Sequence, residues 1–361
     1  MRVAYVNQDR GVRPGRSKGA AVHVAAMRDA FLRAGADVLA LDEPDDSVLR
    51  ARLEHHLACG SIDVVYERHA LGKDLSSVLC VEHGVPHVLE VNAPLLLEAE
   101  RYRDHVPTDA EREREAALFR RSTRVVCVSS AVRDHVVATS GRDEGVLVEP
   151  NAVAPEFLAD VAPAPGFCTP GRTVVGFHGR LRPWHAFERT VAVMRKLLDR
   201  GHDVELAIVG EGEFEDYVGL LPRDRVVHVE WVPPSEVAAH VARFDVVLLP
   251  YRADAPPWFS PLKLAEAMSL GAVPVVTDVG DLPLAVEHLV SGLVVPARDD
   301  DALLAATELA VLDRALRERM SGGARQRGRA RTWDDVAAGV LDLVRPVRPT
   351  RRSKGGSGVG A

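Results

Sequence analysis

A chain of 361 residues, 47% hydrophobic and 5% aromatic, is long enough for two ordinary α/β domains with aliphatic cores. Its net charge of −7 argues against nucleic acid as a partner, because there is no excess of basic residues to displace counterions from phosphate. Four cysteines without C-x-x-C spacing argue against a structural zinc site. The sequence shows neither a signal peptide nor an apolar run of roughly twenty residues, so a cytoplasmic protein without a membrane span is expected. Peripheral contact with a membrane stays open.

The predicted elements begin with a buried strand at residues 3–6, which a polar, glycine-rich loop through Gly19 joins to a helix over residues 20–34. Further strands are predicted at residues 37–41, 62–66, 87–91, 125–128 and 145–148, with helical stretches between most of them. Short apolar runs that alternate with helices are typical of parallel sheets. Residues 1–150 are therefore expected to form one doubly wound, Rossmann-like α/β domain.

A segment without regular periodicity follows at residues 151–172, where four prolines indicate a linker. The pattern then restarts, with strands predicted at residues 174–177, 204–209, 226–229, 246–249, 273–276 and 292–295. Residues 173–331 are expected to form a second Rossmann-like domain that faces the first across a cleft. A last helix is predicted over residues 332–344, anchored by Trp333, and the Pro-, Arg- and Gly-rich residues 345–361 are predicted to be disordered.

The most informative local pattern lies in residues 258–296. Ser260 suits an N-cap, Pro261 suits the first helical position, and Gly271 suits the left-handed residue that ends a helix. The helix between them would be about ten residues long, with a buried stripe formed by Leu262, Ala265 and Ser269. A loop, a helix and a buried strand therefore follow one another here, as in an open α/β sheet.

Lys263 lies in the first turn of this helix, where the helix dipole makes a lysine unfavourable unless an anion is bound nearby. A diphosphate is the natural anion, and Glu266, one turn further on the same face, suits a pair of ribose hydroxyls. Only five of the 45 basic residues are lysines, so a lysine kept at this position indicates a function. The alternative is an exposed Lys263–Glu266 ion pair with no ligand.

The string SPLKLAEAM at residues 260–268 resembles the donor-binding signature of the family-4 retaining glycosyltransferases of GT-B fold, in the branch that reads S-P-x-K-x-x-E-x-M. The resemblance implies two Rossmann-like domains, with the C-terminal helix crossing back to the first. It assigns Glu266 to the donor ribose and places Ser260, Pro261 and Leu262 beside the donor. Trp258 stands where many members have another glutamate, near the donor sugar, and departs from the pattern.

The same family commonly shows G-R-L-x-x-x-K-G after the first strand of the second domain, and Gly179-Arg180-Leu181 matches its start. The resemblance assigns Arg180 to the diphosphate as a bidentate donor, with Gly179 beside it. His185 replaces the family's lysine, so Lys263 would supply the missing charge. An ordinary surface arginine is the alternative for Arg180. Further donor contacts are implied at Gly210, Val232 and Tyr251.

In the first domain, the resemblance points to the loop before the first helix and to the ends of two strands. Gly19 matches the first glycine of a loop near the donor phosphate. Asn92 stands where members often have a histidine that contacts the donor sugar. The catalytic candidates are therefore Arg180, Lys263 and Asn92. The acceptor-binding candidates are Lys18, Arg68, His69 and Glu90.

The function implied by the resemblance is transfer, with retention of configuration, from a UDP- or GDP-linked sugar to a hydroxyl or other nucleophile of a small acceptor such as a secondary metabolite. No cofactor and no metal are expected, because the departing diphosphate can accept the proton and no D-x-D motif is needed. Two alternatives stay open, a GT-B-like nucleotide-sugar 2-epimerase and a catalytically silent nucleotide-sugar-binding protein. The sequence indicates neither the donor's base and sugar nor an oligomeric state.

Overall fold

The computed structural model describes residues 1–12 and 19–344. The strands of its first sheet are β1 Arg2–Asn7, β2 Asp37–Leu41, β3 Val64–Arg68, β4 His87–Val91, β5 Arg124–Cys127 and β6 Val146–Val148. The helices between them are α1 Gly19–Arg33, α2 Asp46–Ala58, α3 Leu75–His83, α4 Leu95–Tyr102, α5 Asp109–Arg121 and α6 Ser130–Ser140. The strands are parallel and lie in the order β2-β1-β3-β4-β5-β6.

Both faces of this first sheet are covered by apolar side chains. Val3 and Tyr5 of β1 enter one buried cluster, and Ala4 and Val6 enter another. This alternation is expected because successive side chains of a strand point to opposite faces. β1 pairs with β2 on one side and β3 on the other, so the direction of winding reverses at β1. In open α/β sheets, ligands bind at the carboxyl ends of the strands beside such a reversal.

The second sheet repeats this arrangement with β7 Thr173–His178, β8 Val204–Val209, β9 Val226–Val229, β10 Val246–Leu249, β11 Val273–Thr277 and β12 Leu293–Val295. Its helices are α7 Phe187–Asp199, α8 Glu215–Val218, α9 Pro234–Val241, α10 Leu262–Ser269, α11 Leu282–Ala285, α12 Asp300–Leu312 and α13 Arg314–Arg329. The strand order is β12-β11-β10-β7-β8-β9, so the winding reverses between β7 and β10. The predicted two-domain α/β architecture is confirmed. All twelve predicted strands occur, with ends within two residues of the predicted ones.

The final helix, α14 Trp333–Val344, packs against α1 of the first domain. The Trp333 indole meets the His23 imidazole edge to face, with ring centroids 4.5 Å apart. Val153 pairs with Thr332 in an isolated parallel bridge, so the chain leaves the first domain and returns to it side by side. Residues 345–361, predicted to be disordered, lie outside the described residues. In the described part of the chain, no helix combines the length and apolar character that crossing a bilayer requires.

Candidate functional site

A cavity of about 400 Å³ opens at the carboxyl ends of β7 and β8, beside the reversal of the second sheet. Eight residues predicted to contact a donor line it: Gly179, Arg180, His185, Gly210, Val232, Leu262, Lys263 and Glu266. Val22 of α1 and Phe157 of the linker also line it, so the cavity reaches the first domain. Loops from three strands therefore enclose one space.

Two glycine turns form part of the wall of this cavity. Gly179 follows β7 with φ 88°, and Gly210 follows β8 with φ 143°. A Cβ atom on Gly210 would lie 2.4 Å from the carbonyl oxygen of Gly179. Only glycine therefore allows the two turns to lie this close, and any larger residue at position 210 would push one of them into the cavity.

Three basic side chains face the cavity from two elements. Arg180 and Arg182 lie in the loop after β7, and Lys263 lies in the first turn of α10. Among residues 1–12 and 19–344, no carboxylate lies within ion-pair distance of any of the three. Basic groups without carboxylate partners that share one space favour a multiply charged anion there. Arg182 was not predicted from the sequence as a site residue. Its position directly after the G-R-L motif was the feature that could have indicated it.

The start of α10 differs from the prediction. The helix begins at Leu262, and Pro261 occupies the N-cap position, where it offers no side-chain acceptor to the first turn. Ser260 is not the N-cap, because its hydroxyl oxygen accepts the backbone N–H of Asn151 at 3.0 Å and its carbonyl oxygen accepts the Asn151 side-chain amide at 2.8 Å. Gly271, with φ 93°, is the left-handed residue expected after the helix.

The buried stripe of α10 also differs from the predicted one. Its buried residues are Leu264, Ala267, Met268 and Ser269, and Leu262 and Ala265 are only half-buried. Leu262 lies at the wall of the cavity instead. The helix is therefore turned so that its open face presents Lys263 and Glu266 to the same space.

Lys263 is half-buried, and its amine lies 3.0 Å from Nε2 of His185 and 4.1 Å from the centre of the Phe177 ring. Burial, opposed by the nearby Glu266 carboxylate and reinforced by Arg182, lowers the pKa of Lys263 to about 7. Burial, and then the charges of Lys263 and Arg182, lowers the pKa of His185 to about 2. The imidazole is therefore neutral at physiological pH.

Glu266 pairs with His178 rather than with Lys263. The Glu266 carboxylate lies 2.8 Å from Nε2 of His178, the last residue of β7. The exposed Lys263–Glu266 ion pair considered from the sequence is not what the structure contains, because Lys263 contacts His185. His178 was not predicted as a site residue. Its signal in the sequence was its place between the strand and the G-R-L motif, where side chains reach the ligand edge of the sheet.

A second cavity, of about 240 Å³, lies between the two domains. Its lining includes Ala20, His23, Arg68 and Asn92 from the first domain, and Tyr251, Ser260 and Pro261 from the second. The two cavities share Trp184, His185, Leu262 and Lys263. Lys263 therefore lies between the two cavities and lines both the cavity in the second domain and the cavity between the domains.

A buried network holds the first-domain side chains of this second cavity. Glu90 accepts hydrogen bonds from the Tyr66 hydroxyl, from Arg68 at 3.0 Å and from the Asn92 amide, and it lies 2.8 Å from Nε2 of His23. Burial alone would raise the pKa of Glu90, but His23, Arg68 and Tyr66 together hold it well below its ordinary value. Glu90, predicted as an acceptor contact, is 2% exposed and lies behind the cavity wall, where it orients the three side chains that line it. His23 was missed; a lone histidine in the apolar first helix was its only signal.

His69 lies away from both cavities, contrary to its prediction as an acceptor contact. Its ring packs edge to face on Phe119 at 5.6 Å, and its Nε2 lies 3.9 Å from Glu115. Burial lowers the pKa of His69 to about 4. The reason for the misplacement is that neighbouring side chains at the end of β3 diverge, so that Arg68 reaches the interdomain cavity and His69 reaches the opposite side.

Trp258 does not line either cavity, although it was predicted to contact the donor. Its indole is buried in the first-domain cluster that contains Leu89 and Phe119, and Nε1 donates to Glu98 at 2.9 Å. The Ser129 hydroxyl donates to the Trp258 carbonyl at 3.0 Å. Trp258 therefore joins a loop of the second domain to the core of the first.

Two predicted residues remain. Lys18 lies outside the described residues. Gly19 begins α1, whose next residue, Ala20, lines the interdomain cavity.

The comparisons with known proteins find similarity to glycosyltransferases over part of the chain. The family model described as "Glycosyl transferases group 1" matches residues 172–313. The chain is 30% identical to a D-inositol 3-phosphate glycosyltransferase of Jonesia denitrificans, over 50% of this chain and 44% of that protein. It is 28% identical to a 2-deoxystreptamine glucosyltransferase of Streptomyces kanamyceticus, over 46% of this chain and 47% of that protein. The chain thus spans about half the length of the curated relatives it matches.

Solved structures share the fold over nearly the whole chain. A sucrose-phosphate synthase from Thermosynechococcus elongatus matches with a TM-score of 0.69 and 14% identity, over 95% of this chain and 98% of that one. HepE from Anabaena, in complex with UDP and glucose, matches with a TM-score of 0.68 and 18% identity, over 95% of this chain and 99% of that one. At such identities the likeness establishes the fold alone.

Proposed function

We propose, from the match of residues 172–313 to the family model described as "Glycosyl transferases group 1", that the chain transfers a sugar from a nucleoside-diphosphate sugar to a hydroxyl of a small acceptor. One observation carries the proposal. Arg180, Arg182 and Lys263 face a single cavity without carboxylate partners in the described part of the chain, with Glu266 beside them. This arrangement suits a diphosphate next to a ribose.

In this proposal the basic side chains stabilise the leaving group. The bond between the anomeric carbon and the diphosphate oxygen breaks, and negative charge develops on that oxygen. Arg180 and Lys263 stabilise the charge as it forms, which lowers the barrier more than an interaction already complete in the bound donor would. The acceptor oxygen then bonds to the anomeric carbon on the same face, and its proton passes to the departing diphosphate. Configuration is retained without a metal or a side-chain base.

The acceptor is proposed to bind in the interdomain cavity. Arg68, Asn92 and His23 offer nitrogen groups there for hydrogen bonds to hydroxyls or other acceptor oxygens, and the Glu90 network holds them in place. The volume of about 240 Å³ suits one small ring rather than a polymer. A small hydroxylated metabolite is therefore the proposed acceptor class, in keeping with the 2-deoxystreptamine glucosyltransferase among the relatives. A cytoplasmic location, where nucleotide sugars occur, is part of the proposal.

A two-stage experiment tests this function. Thermal unfolding is measured with UDP, GDP and their glucose and mannose conjugates, because a ligand that binds only the folded chain raises the midpoint as its concentration exceeds Kd. The best conjugate is then radiolabelled in the sugar and incubated with the chain and a panel of small polyols and aminocyclitols. We expect one base to raise the midpoint and label to move to an acceptor. Stabilisation without transfer or hydrolysis would instead identify a silent binding protein, and no stabilisation by any conjugate would overturn the proposal.

A further inference from the structure

The hydrogen bonds around His185 determine which of its ring nitrogens carries the proton. The backbone N–H of Arg182 donates to Nδ1 of His185 at 3.0 Å, so Nδ1 must present a lone pair. A neutral imidazole whose Nδ1 is an acceptor carries its hydrogen on Nε2. The Nε2–H group is therefore the one that faces the amine of Lys263, 3.0 Å away.

This tautomer has a consequence for Lys263. A neutral amine can accept a hydrogen bond from the Nε2–H group. An ammonium group can only donate, so its N–H group would face the N–H group of the imidazole without an acceptor between them. The Phe177 ring, 4.1 Å from the amine, favours the cation but offers it no hydrogen-bond acceptor. Glu266 also favours the cation, but its carboxylate is engaged by His178 at 2.8 Å.

The other charged groups around Lys263 work against the ammonium. Arg180 and Arg182 line the same cavity from the loop after β7, and Arg68 lines the interdomain cavity from the first domain, beside the titratable His23. Tyr251, which also lines that cavity, is a phenol whose pKa burial raises above its ordinary value, so it adds no negative charge. Apart from Glu266, the carboxylates that line the donor cavity, Glu156, Glu211 and Glu230, are not in ion-pair contact with the amine.

Building on the proposed function, we propose that His185 holds Lys263 as a neutral amine in the empty site and that binding of the diphosphate is coupled to uptake of one proton by Lys263. The amine lone pair takes a proton from water or buffer. The Nε2–H to amine hydrogen bond is replaced by hydrogen bonds from the ammonium to phosphate oxygens. When the nucleoside diphosphate leaves after transfer, Lys263 returns the proton and His185 again donates to it.

This coupling gives His185 a positioning role. Had a second lysine stood at position 185, as in the resembled family, the empty site would concentrate permanent positive charge. The histidine keeps Lys263 uncharged until an anion binds. The site therefore favours ligands whose negative charge is large enough to make protonation of Lys263 favourable. A nucleoside monophosphate, which carries less negative charge than a diphosphate, should draw in less than one proton.

The first test needs no donor and therefore separates this inference from the proposed function. The full chain is labelled with ¹³Cε-lysine, and the five lysine resonances are followed against pH, with Lys263→Arg identifying the signal of interest. We expect the Lys263 signal to titrate near pH 7. In His185→Ala, where water can replace the ring, the midpoint should rise by at least one pH unit, and His185→Gln serves if the alanine variant does not fold. The exposed His55→Gln should leave it unchanged. A wild-type Lys263 signal that titrates above pH 9 would overturn the inference.

The second test measures the coupling. Calorimetric titrations with UDP and GDP are run at pH 8 in buffers of different ionisation enthalpy, and the slope of heat against that enthalpy counts protons taken up. At this pH the free amine is mostly neutral, so the nucleotide that binds should draw in close to one proton, and Lys263→Arg, which stays charged, should draw in none. Binding with no proton uptake by the wild type overturns the inference and leaves the proposed function intact. If neither nucleotide binds, both fall.

Discussion

At the scale of single residues, Glu90 is the carboxylate on which the first-domain half of the site depends. It is buried and surrounded by Tyr66, Arg68, Asn92 and His23. Replacing it with glutamine removes the charge while keeping the shape. A buried cation that loses its partner destabilises the fold strongly, typically by about 3–5 kcal/mol.

We therefore expect Glu90→Gln to lower the free energy of unfolding by about 3 kcal/mol at pH 7, measured by urea titration. Because the folded-state pKa of Glu90 lies below its unfolded value, the stability it contributes is present above pH 4.5 and is lost as pH falls further. The deficit of the variant should accordingly shrink below that pH. Glu54→Gln is the matched control, since its partner Arg50 lies 4.0 Å away on an exposed helix face. An equal loss in both variants would contradict the role of the network.

His69 makes a pH-dependent contribution of a different kind. Burial holds its pKa at about 4 in the folded chain, below the ordinary 6.5. The neutral ring is favoured by folding, so the contribution is fully present above pH 6.5 and declines by up to about 3 kcal/mol between pH 6.5 and pH 4. In His69→Phe, which cannot titrate, this decline should be absent, so the variant gains stability relative to the wild type as pH falls. Parallel urea titrations at pH 7.5, 5.5 and 4.5 measure the difference, and a constant difference would refute it.

At the scale of elements, α10 depends on close packing against α13. A Cβ atom on Gly328 of α13 would lie 2.4 Å from the backbone nitrogen of Ser269, whereas a Cβ on Gly339 of α14 meets nothing within 4 Å. Gly328→Ala must therefore push α10 away, and overpacking of this kind costs about 1–3 kcal/mol. Gly339→Ala should stabilise by about 0.5–1 kcal/mol, since glycine is unfavourable inside a helix. Thermal unfolding of both variants measures the contrast, and equal midpoints would contradict the packing.

The elements were largely predictable from sequence, and the exceptions have a common cause. Buried parallel strands are continuous apolar runs, so all twelve were found. The cap of α10 was wrong because Ser260 is occupied by Asn151, which lies 109 residues earlier in the chain. Local sequence cannot show that a suitable capping side chain already has a distant partner. The helix stripe was misassigned for the same reason, since α13 determines which face of α10 is buried.

The candidate site divides in the same way. Residues that follow strands within the second domain, such as Gly179, Arg180 and Gly210, could be placed together because parallel strands bring their carboxyl ends to one edge. His23 was missed because it lies inside a helix and belongs to no motif, and His178 was missed because it lies at the end of β7, one residue before the G-R-L motif that drew attention. Trp258 was misplaced because its partner is the core of the other domain.

At the scale of the whole molecule, Trp258 connects the two halves. Beside it, the backbone N–H of Ser130 at the start of α6 donates to Asp281 of the second domain at 2.7 Å. We expect Trp258→Phe, which keeps most of the ring but loses the bond to Glu98, to leave the Kd for the preferred nucleotide within about twofold, because the donor cavity does not include Trp258. The transfer rate should fall several-fold, because the lost hydrogen bond from the indole to Glu98 helps to hold the two domains together. A hydrogen bond to a charged partner contributes about 1.5–3 kcal/mol.

A matched pair at the acceptor checks the origin of this effect. Glu98→Gln keeps an oxygen that can accept from the indole and should retain most of the transfer rate, whereas Glu98→Ala should behave like Trp258→Phe. Small-angle scattering of the free proteins would show a larger radius of gyration for the two disruptive variants. Unchanged scattering with unchanged transfer would remove Trp258 from any part in domain closure.

The paired crossings between the halves, through Val153 and Thr332, limit how the molecule can move. A single connecting segment would allow the two domains to rotate relative to each other in any direction. Here two adjacent segments connect them, and these segments share a backbone hydrogen bond from the N–H of Val153 to the carbonyl oxygen of Arg331 at 3.3 Å. We therefore expect any opening of the cleft to be largely a rotation about one axis. Proteolytic cleavage of either span would leave the halves attached through the other, but free to twist.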